Sequence, residues 1–103
     1  MRIIVLFNLK DGVDAADYEA WARATDGPTV NGMDSVDSFT VHKATGIFGD
    51  ESAEPPYEYI EVLDVNDMDG FVDAISTEEF QSKIAAQFGE FADNPTFITT
   101  EDV

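Results

Sequence analysis

Arg2-Ile3-Ile4-Val5-Leu6-Phe7-Asn8-Leu9 is the stretch on which the architecture turns. From Ile3 to Phe7 every side chain is apolar, with none of the alternation that a strand with one wet face shows. A β-branched run of this kind is expected of a strand covered on both faces. Something must lie over each side of it, and the rest of the chain has to supply that cover.

Downstream, Lys10-Asp11-Gly12 reads as a turn, and Asp14 can cap a helix that carries Ala15, Tyr18, Ala22 and Trp21 on one side. That helix is expected to end near Thr25, before Gly27-Pro28. Ser35 to Lys43 alternates, with Phe39 and Val41 on one face and Val36, Ser38, Thr40 and His42 on the other. Gly46 to Pro56 has the turn formers and charges of a long hairpin loop, expected to be mobile, with a lid or an arm onto a partner as its other readings. Tyr57 to Val65 alternates again: Ile60 and Val62 share one face, Tyr57, Tyr59, Glu61 and Leu63 the other.

Asn66 or Asp67 then opens a short helix with Met68, Phe71, Val72 and Ile75 on its apolar side. Ser76 with Glu79 fits a capping box for a second helix, whose stripe is Phe80, Ile84, Phe88 and Phe91 and which Asn94-Pro95 stops. Phe97 to Thr100 is the last strand. The order β-α-β-β-α-β over residues 1–103 gives one α+β domain of ferredoxin-like topology. It has a four-stranded antiparallel sheet, helices on one face, and a second helical region split in two. The other face stays bare, with half of the first strand's apolar set together with Tyr57 and Tyr59, a patch larger than a soluble monomer leaves in water. A homodimer that closes two sheets into a dimeric α/β barrel, with a cavity in each subunit, would cover it. Burial of roughly 1,500 Å² would be ordinary for such a pair.

Composition narrows the function classes. The chain is 44% hydrophobic and 12% aromatic, too rich in core-forming side chains for disorder. Twenty-two acids against five Lys and Arg give a formal charge of −17, which repels nucleic acid and anionic membranes. The longest apolar run is far short of a membrane span and Met1-Arg2 leads into it without a signal-peptide pattern, so a cytoplasmic location is expected. With no cysteine, disulfides, thiolate metal sites and a Cys nucleophile are excluded.

Asp17-Tyr18-Glu19-Ala20-Trp21, Thr25-Asp26-Gly27-Pro28-Thr29-Val30 and Ser35-Val36-Asp37-Ser38-Phe39 resemble the dimeric α/β-barrel superfamily, in its REDY-like (HapK) branch. Pro56 to Val62, Ser76 to Phe80 and Phe91 to Phe97 are similar to the same branch, so the likeness covers nearly the whole chain. The resemblance implies a protein that needs no cofactor and works on small aromatic or heteroaromatic metabolites of prodigiosin-like pigment and related secondary metabolism. Lyase, cyclase, isomerase and monooxygenase chemistry all stay open. So does a non-catalytic dimeric carrier or stress-associated protein, since fold alone does not fix chemistry. Haem-degrading members of the superfamily are expected to carry a histidine in the second helical region, and here that region has none.

Among candidate site residues, His42 is the only histidine and the natural proton-transfer group, unless it is a structural edge residue. If Phe39 and Val41 pack under the helices, His42 points into the barrel. Glu61 lies among apolar neighbours on the face of Tyr59, where a carboxylate needs a partner or a raised pKa. It is a base or hydrogen-bond acceptor beside Tyr59, or else a pair with Lys43 or Arg23, or a solvated edge residue. Asp26 stands where some barrel relatives carry a His just before the Pro. It serves the cavity mouth or merely terminates a helix. Asn8, at the end of the first strand, reads either as an amide donor to the cavity or as a strand-end residue; Thr40 and Tyr57 complete the expected substrate contacts. Tyr18, Trp21, Phe88 and Phe91 read as core or interface aromatics without chemistry. Asp26, His42 and Glu61 lack the local spacing of a metal site, so none is expected.

The acids are spread along the chain rather than gathered in a tail, as in a surface adapted to salty water. On that reading the melting temperature should climb as salt is added; a flat or falling curve would remove the saline interpretation.

Overall fold

Strand β1 (Arg2–Leu9) runs through the interior of the sheet, hydrogen-bonded on one side to β3 (Tyr59–Val65) and on the other to β4 (Ala92–Thr99), antiparallel to both. β2 (Val36–Lys43) pairs antiparallel with β3, and the order β2-β3-β1-β4 is that of the expected α+β ferredoxin-like sheet. The computed structural model describes Met1–Val103. No helix in it is long and apolar enough to cross a membrane.

Helices cover one face only. Ile3, Val5 and Phe7 point beneath them and are buried, whereas Ile4 and Leu6 lie half-buried on the open side. Phe7 is fully buried, stacked on Tyr59 at 5.6 Å and edge-on to Tyr18 and Phe88 at 5.5 and 5.1 Å.

The first helix does not stop near Thr25. α1 (Ala15–Trp21), capped by Asp14, whose carboxylate accepts from the Ala16 amide, passes through a π-helical turn, Ala22–Asp26, into α2 (Gly27–Asn31). The cause is local. Pro28 has no N–H to give, and in a regular helix its ring would press on the carbonyl four residues back. Widening the turn before it relieves that clash and leaves Pro28 in the first turn of α2, where a missing N–H costs nothing. The Gly27 amide donates to the Ala22 carbonyl, and a Cβ on Gly27 would stand 3.0 Å from that same oxygen.

The second helical region is split, as the sequence suggests. α3 (Met68–Ile75) is capped by Asp67, and α4 (Glu78–Phe80) runs through a second π-helical turn, Gln81–Ala85, into α5 (Ala86–Phe91). The second cap is Thr77 rather than Ser76. Ser76 caps the C-terminus of α3 and its hydroxyl donates to the Val72 carbonyl, while Thr77 is extended and accepts from the Phe80 amide. Val72 is exposed instead of lying on the apolar stripe.

β4 begins at Ala92, well before Phe97. A bulge opposite Leu6 and Asn8, with Asn94 at φ 49, admits Pro95 to this edge strand, which needs no inward donor there. The Gly46 to Pro56 loop folds back on itself through an Ile47–Asp50 bridge.

Candidate active site

Between the covered face of the sheet and the helices lies a cavity of about 370 Å³, 12 of whose 16 lining residues are hydrophobic. That volume is in the small-molecule range of roughly 300–1,000 Å³. Val5, Phe39, Leu63 and Phe97 form its floor, and Phe71, Ile84 and Phe88 belong to its roof. No residue of the Gly46 to Pro56 loop lines it.

Two carboxyl groups enter this apolar space, Asp26 and Glu61, only 4% and 5% exposed. Glu61 sits mid-strand, with Val5 opposite it on β1 and Val41 opposite it on β2. The alternation of β3 buries Tyr59, Glu61, Leu63 and Val65, so Glu61 occupies a position that the pleat assigns to the core. Asp26 ends the widened turn that Pro28 imposes, which swings it over the sheet.

Tyr18 links helix and sheet, its fully buried hydroxyl donating to Glu61 Oε2 at 3.3 Å. Burial, then the Glu61 charge, raises the phenol's pKa, so it remains a donor. Burial first, and then the charge of Asp26, pushes the Glu61 carboxyl up to about 8 against the opposing effect of the Tyr18 bond. Asp26 is pushed up to about 6 by burial alone, and no donor of the chain reaches it. Between those values the pair holds one proton and carries one negative charge, an acid beside a base.

The remaining expected residues lie elsewhere. Tyr59 is in the core under the helices, not on the bare face, and its hydroxyl donates to Glu19 at 2.7 Å. Arg23 and Lys43 gather on that same Glu19, at 3.4 and 3.5 Å, so neither pairs with Glu61. Phe39 is buried, and His42 faces the opposite, open side, exposed and 2.9 Å from Thr40. The expected cluster of His42, Glu61 and Tyr59 is therefore divided by the sheet. The face assignment fails because β3 turns Tyr59, Glu61 and Leu63 toward the helices and leaves the β-branched Ile60 and Val62 on the open side. Asn8 has a structural task, donating to the Pro56 carbonyl and accepting from the Glu58 amide. Tyr57 is half-buried ahead of β3 and does not line the cavity. No three His, Asp or Glu side chains converge as metal ligands.

Helical spacing accounts for Tyr18 by packing alone; its tie to Glu61 is visible only in the structure. The available signal was chemical: a Tyr in place of a Phe at a core position brings a hydroxyl that must find a partner.

Compared with known proteins, the chain matches the REDY-like protein HapK family over residues 1–103. The crystal structure of HapK from Hahella chejuensis is 25% identical, with a TM-score of 0.71 over 100% of this chain and 95% of that one. SnoaB from Streptomyces nogalater, described as a cofactor-independent oxygenase, shares the fold at 13% identity and a TM-score of 0.71, covering 99% of this chain and 92% of its own. A protein of unknown function from Thermobifida fusca, described as dimeric and ferredoxin-like, is 18% identical with a TM-score of 0.65, covering 94% and 85%. No curated protein matches the sequence.

The raised carboxyls make stability depend on pH with a definite sign. Glu61 binds its proton more tightly folded, at about 8, than at its ordinary value of 4.5. Its contribution is thus complete below the lower value and disappears as pH rises through the upper one. Asp26 adds the same slope between 3.8 and about 6. Unfolding free energy from urea titrations is expected to fall between about pH 5 and about pH 8, with Glu61 removing at most about 1.4 kcal/mol per pH unit. Glu61→Gln should flatten that slope; an unchanged slope in the variant contradicts the assignment.

Proposed function

The chain belongs to the REDY-like protein HapK family, and on that premise we propose that it is a cofactor-independent enzyme. Its substrate is a small aromatic or heteroaromatic metabolite of prodigiosin-like or related secondary metabolism, and its chemistry is acid–base catalysis in the cavity under the helices. The observation that carries this reading is the pair of buried carboxyls with unequal proton affinities at the wall of an apolar pocket. Perturbed pairs of this kind cluster at functional sites. Asp26, ionised near neutral pH, acts as the base, and protonated Glu61 delivers a proton to oxygen as enolate-like charge develops there. Tyr18 positions Glu61 from behind. The phenylalanine walls hold a flat ring, which can enter beside Phe97, 61% exposed on β4. The description of SnoaB supports the part of this reading in which the scaffold works without a resident cofactor.

A second copy is proposed to cover the open face, where Ile4, Leu6, Ile60 and Val62 are half-buried and Ile98 is 41% exposed. The Thermobifida fusca neighbour's description as dimeric supports this. His42 and Thr40 would then lie at or near the interface.

Two measurements test these readings. With aromatic pathway intermediates and no added cofactor, Glu61→Gln and Asp26→Asn should each lose about 10²- to 10⁴-fold in turnover, the usual worth of a positioned acid or base. His42→Ala should keep its rate. Ligand binding without turnover in the unaltered protein would make the chain a carrier instead. Sedimentation equilibrium at micromolar concentration should give a dimer, and Val62→Asp should dissociate it; a folded monomer without the substitution contradicts the pairing.

A further inference from the structure

We propose that the cavity receives its ligand as an organic cation, a flat aromatic amine or nitrogen heterocycle whose protonated N–H group lies against Asp26 with its ring among the phenylalanines. This rests on the site proposed above and names the charge class of what enters it.

Asp26 carries the argument furthest. It is 4% exposed, lines the cavity, and receives no hydrogen bond from the chain. A buried carboxylate without a donor is costly, and a bound N–H⁺ removes that cost with a charge-assisted bond. Glu61 beside it has only the 3.3 Å bond from Tyr18.

The cation does not come from the protein. No Lys, Arg or His lines the cavity. Of the chain's five basic residues, Arg2 pairs with Asp64, Arg23 and Lys43 with Glu19, and Lys83 with Glu79. The fifth, Lys10, is exposed and does not line the cavity. An anionic ligand would meet carboxyls and no counter-charge.

The walls agree. Phe39, Phe71, Phe80, Phe88 and Phe97 all line the cavity, and aromatic faces attract cations within about 6 Å of the ring centre. At long range, the formal charge of −17 draws cations toward the protein and repels anions.

The test uses three ligands of one shape: naphthylmethylamine, naphthylmethanol and naphthoate, titrated calorimetrically at neutral pH and physiological salt. The amine should bind one per chain, at least about tenfold tighter than the alcohol, a ratio equal to about 1.4 kcal/mol. Naphthoate should not bind. Asp26→Asn should bring the amine's affinity down to that of the alcohol, with one alcohol still bound per chain, which also shows that the cavity is intact. Equal binding of amine and alcohol, binding of naphthoate, or an amine preference that survives in Asp26→Asn would each overturn the proposal, the last by placing the amine on the acidic surface. Should Asp26→Asn not fold, competition on the unaltered protein decides: excess naphthylmethanol should displace the amine from the shared cavity, and an amine that stays bound overturns the proposal. Turnover plays no part in this readout, so a carrier would show the same preference, and an enzyme for neutral substrates would show acid–base losses without it.

Discussion

Two carboxyl groups kept from water on one apolar wall hold their protons more tightly than exposed acids do, Asp26 through burial and Glu61 through burial and then the charge of Asp26, and the proposed chemistry depends on that burial. Neither is neutralised by a basic residue, although Arg23 and Lys43 are close enough in the fold to meet Glu19. The only direct relief for Glu61 is a neutral phenol. An ion pair would have held both groups in the charged form; leaving them unpaired keeps one proton near neutrality, where acid–base chemistry can use it.

The fold explains how such a pair persists. Glu61 is fixed by the pleat of β3, with Val5 and Val41 on the neighbouring strands, so turning it outward would shift a whole strand's register. Asp26 is fixed by a backbone device, the widened turn that precedes Pro28. Tyr18 is wedged among Phe7, Tyr59 and Phe91, and its hydroxyl has little freedom to leave Glu61. Each of the three sits on a different device: strand register, helix irregularity and aromatic packing.

Much of the architecture could be read from residue order. The unbroken apolar run of β1, the alternation of β2 and β3, and the cap at Asp67 reveal a ferredoxin-like sheet with a split second helical region. Glu61 and Asp26 also stood out, one as a charge among apolar neighbours and one as an acid before Gly-Pro. The face of β3 was harder to read, because Tyr59, Glu61 and Leu63 alternate with Ile60 and Val62, and both sets are apolar enough for a core. Strand periodicity gives two faces without saying which one the helices cover. That ambiguity put His42 with Glu61, whereas the sheet keeps them apart. The continuation of the first helix past Gly27-Pro28 was hidden for a related reason: a proline marks an interruption but not whether the chain turns away or widens and goes on.

The most direct measurement of this account is a carbon NMR titration of the side-chain carboxyls in protein labelled at Asp and Glu. It predicts apparent midpoints near the values of about 6 and about 8 to which Asp26 and Glu61 are pushed, far from the exposed acids. Both groups titrating together with the surface carboxylates, near the ordinary value of about 4, would contradict it.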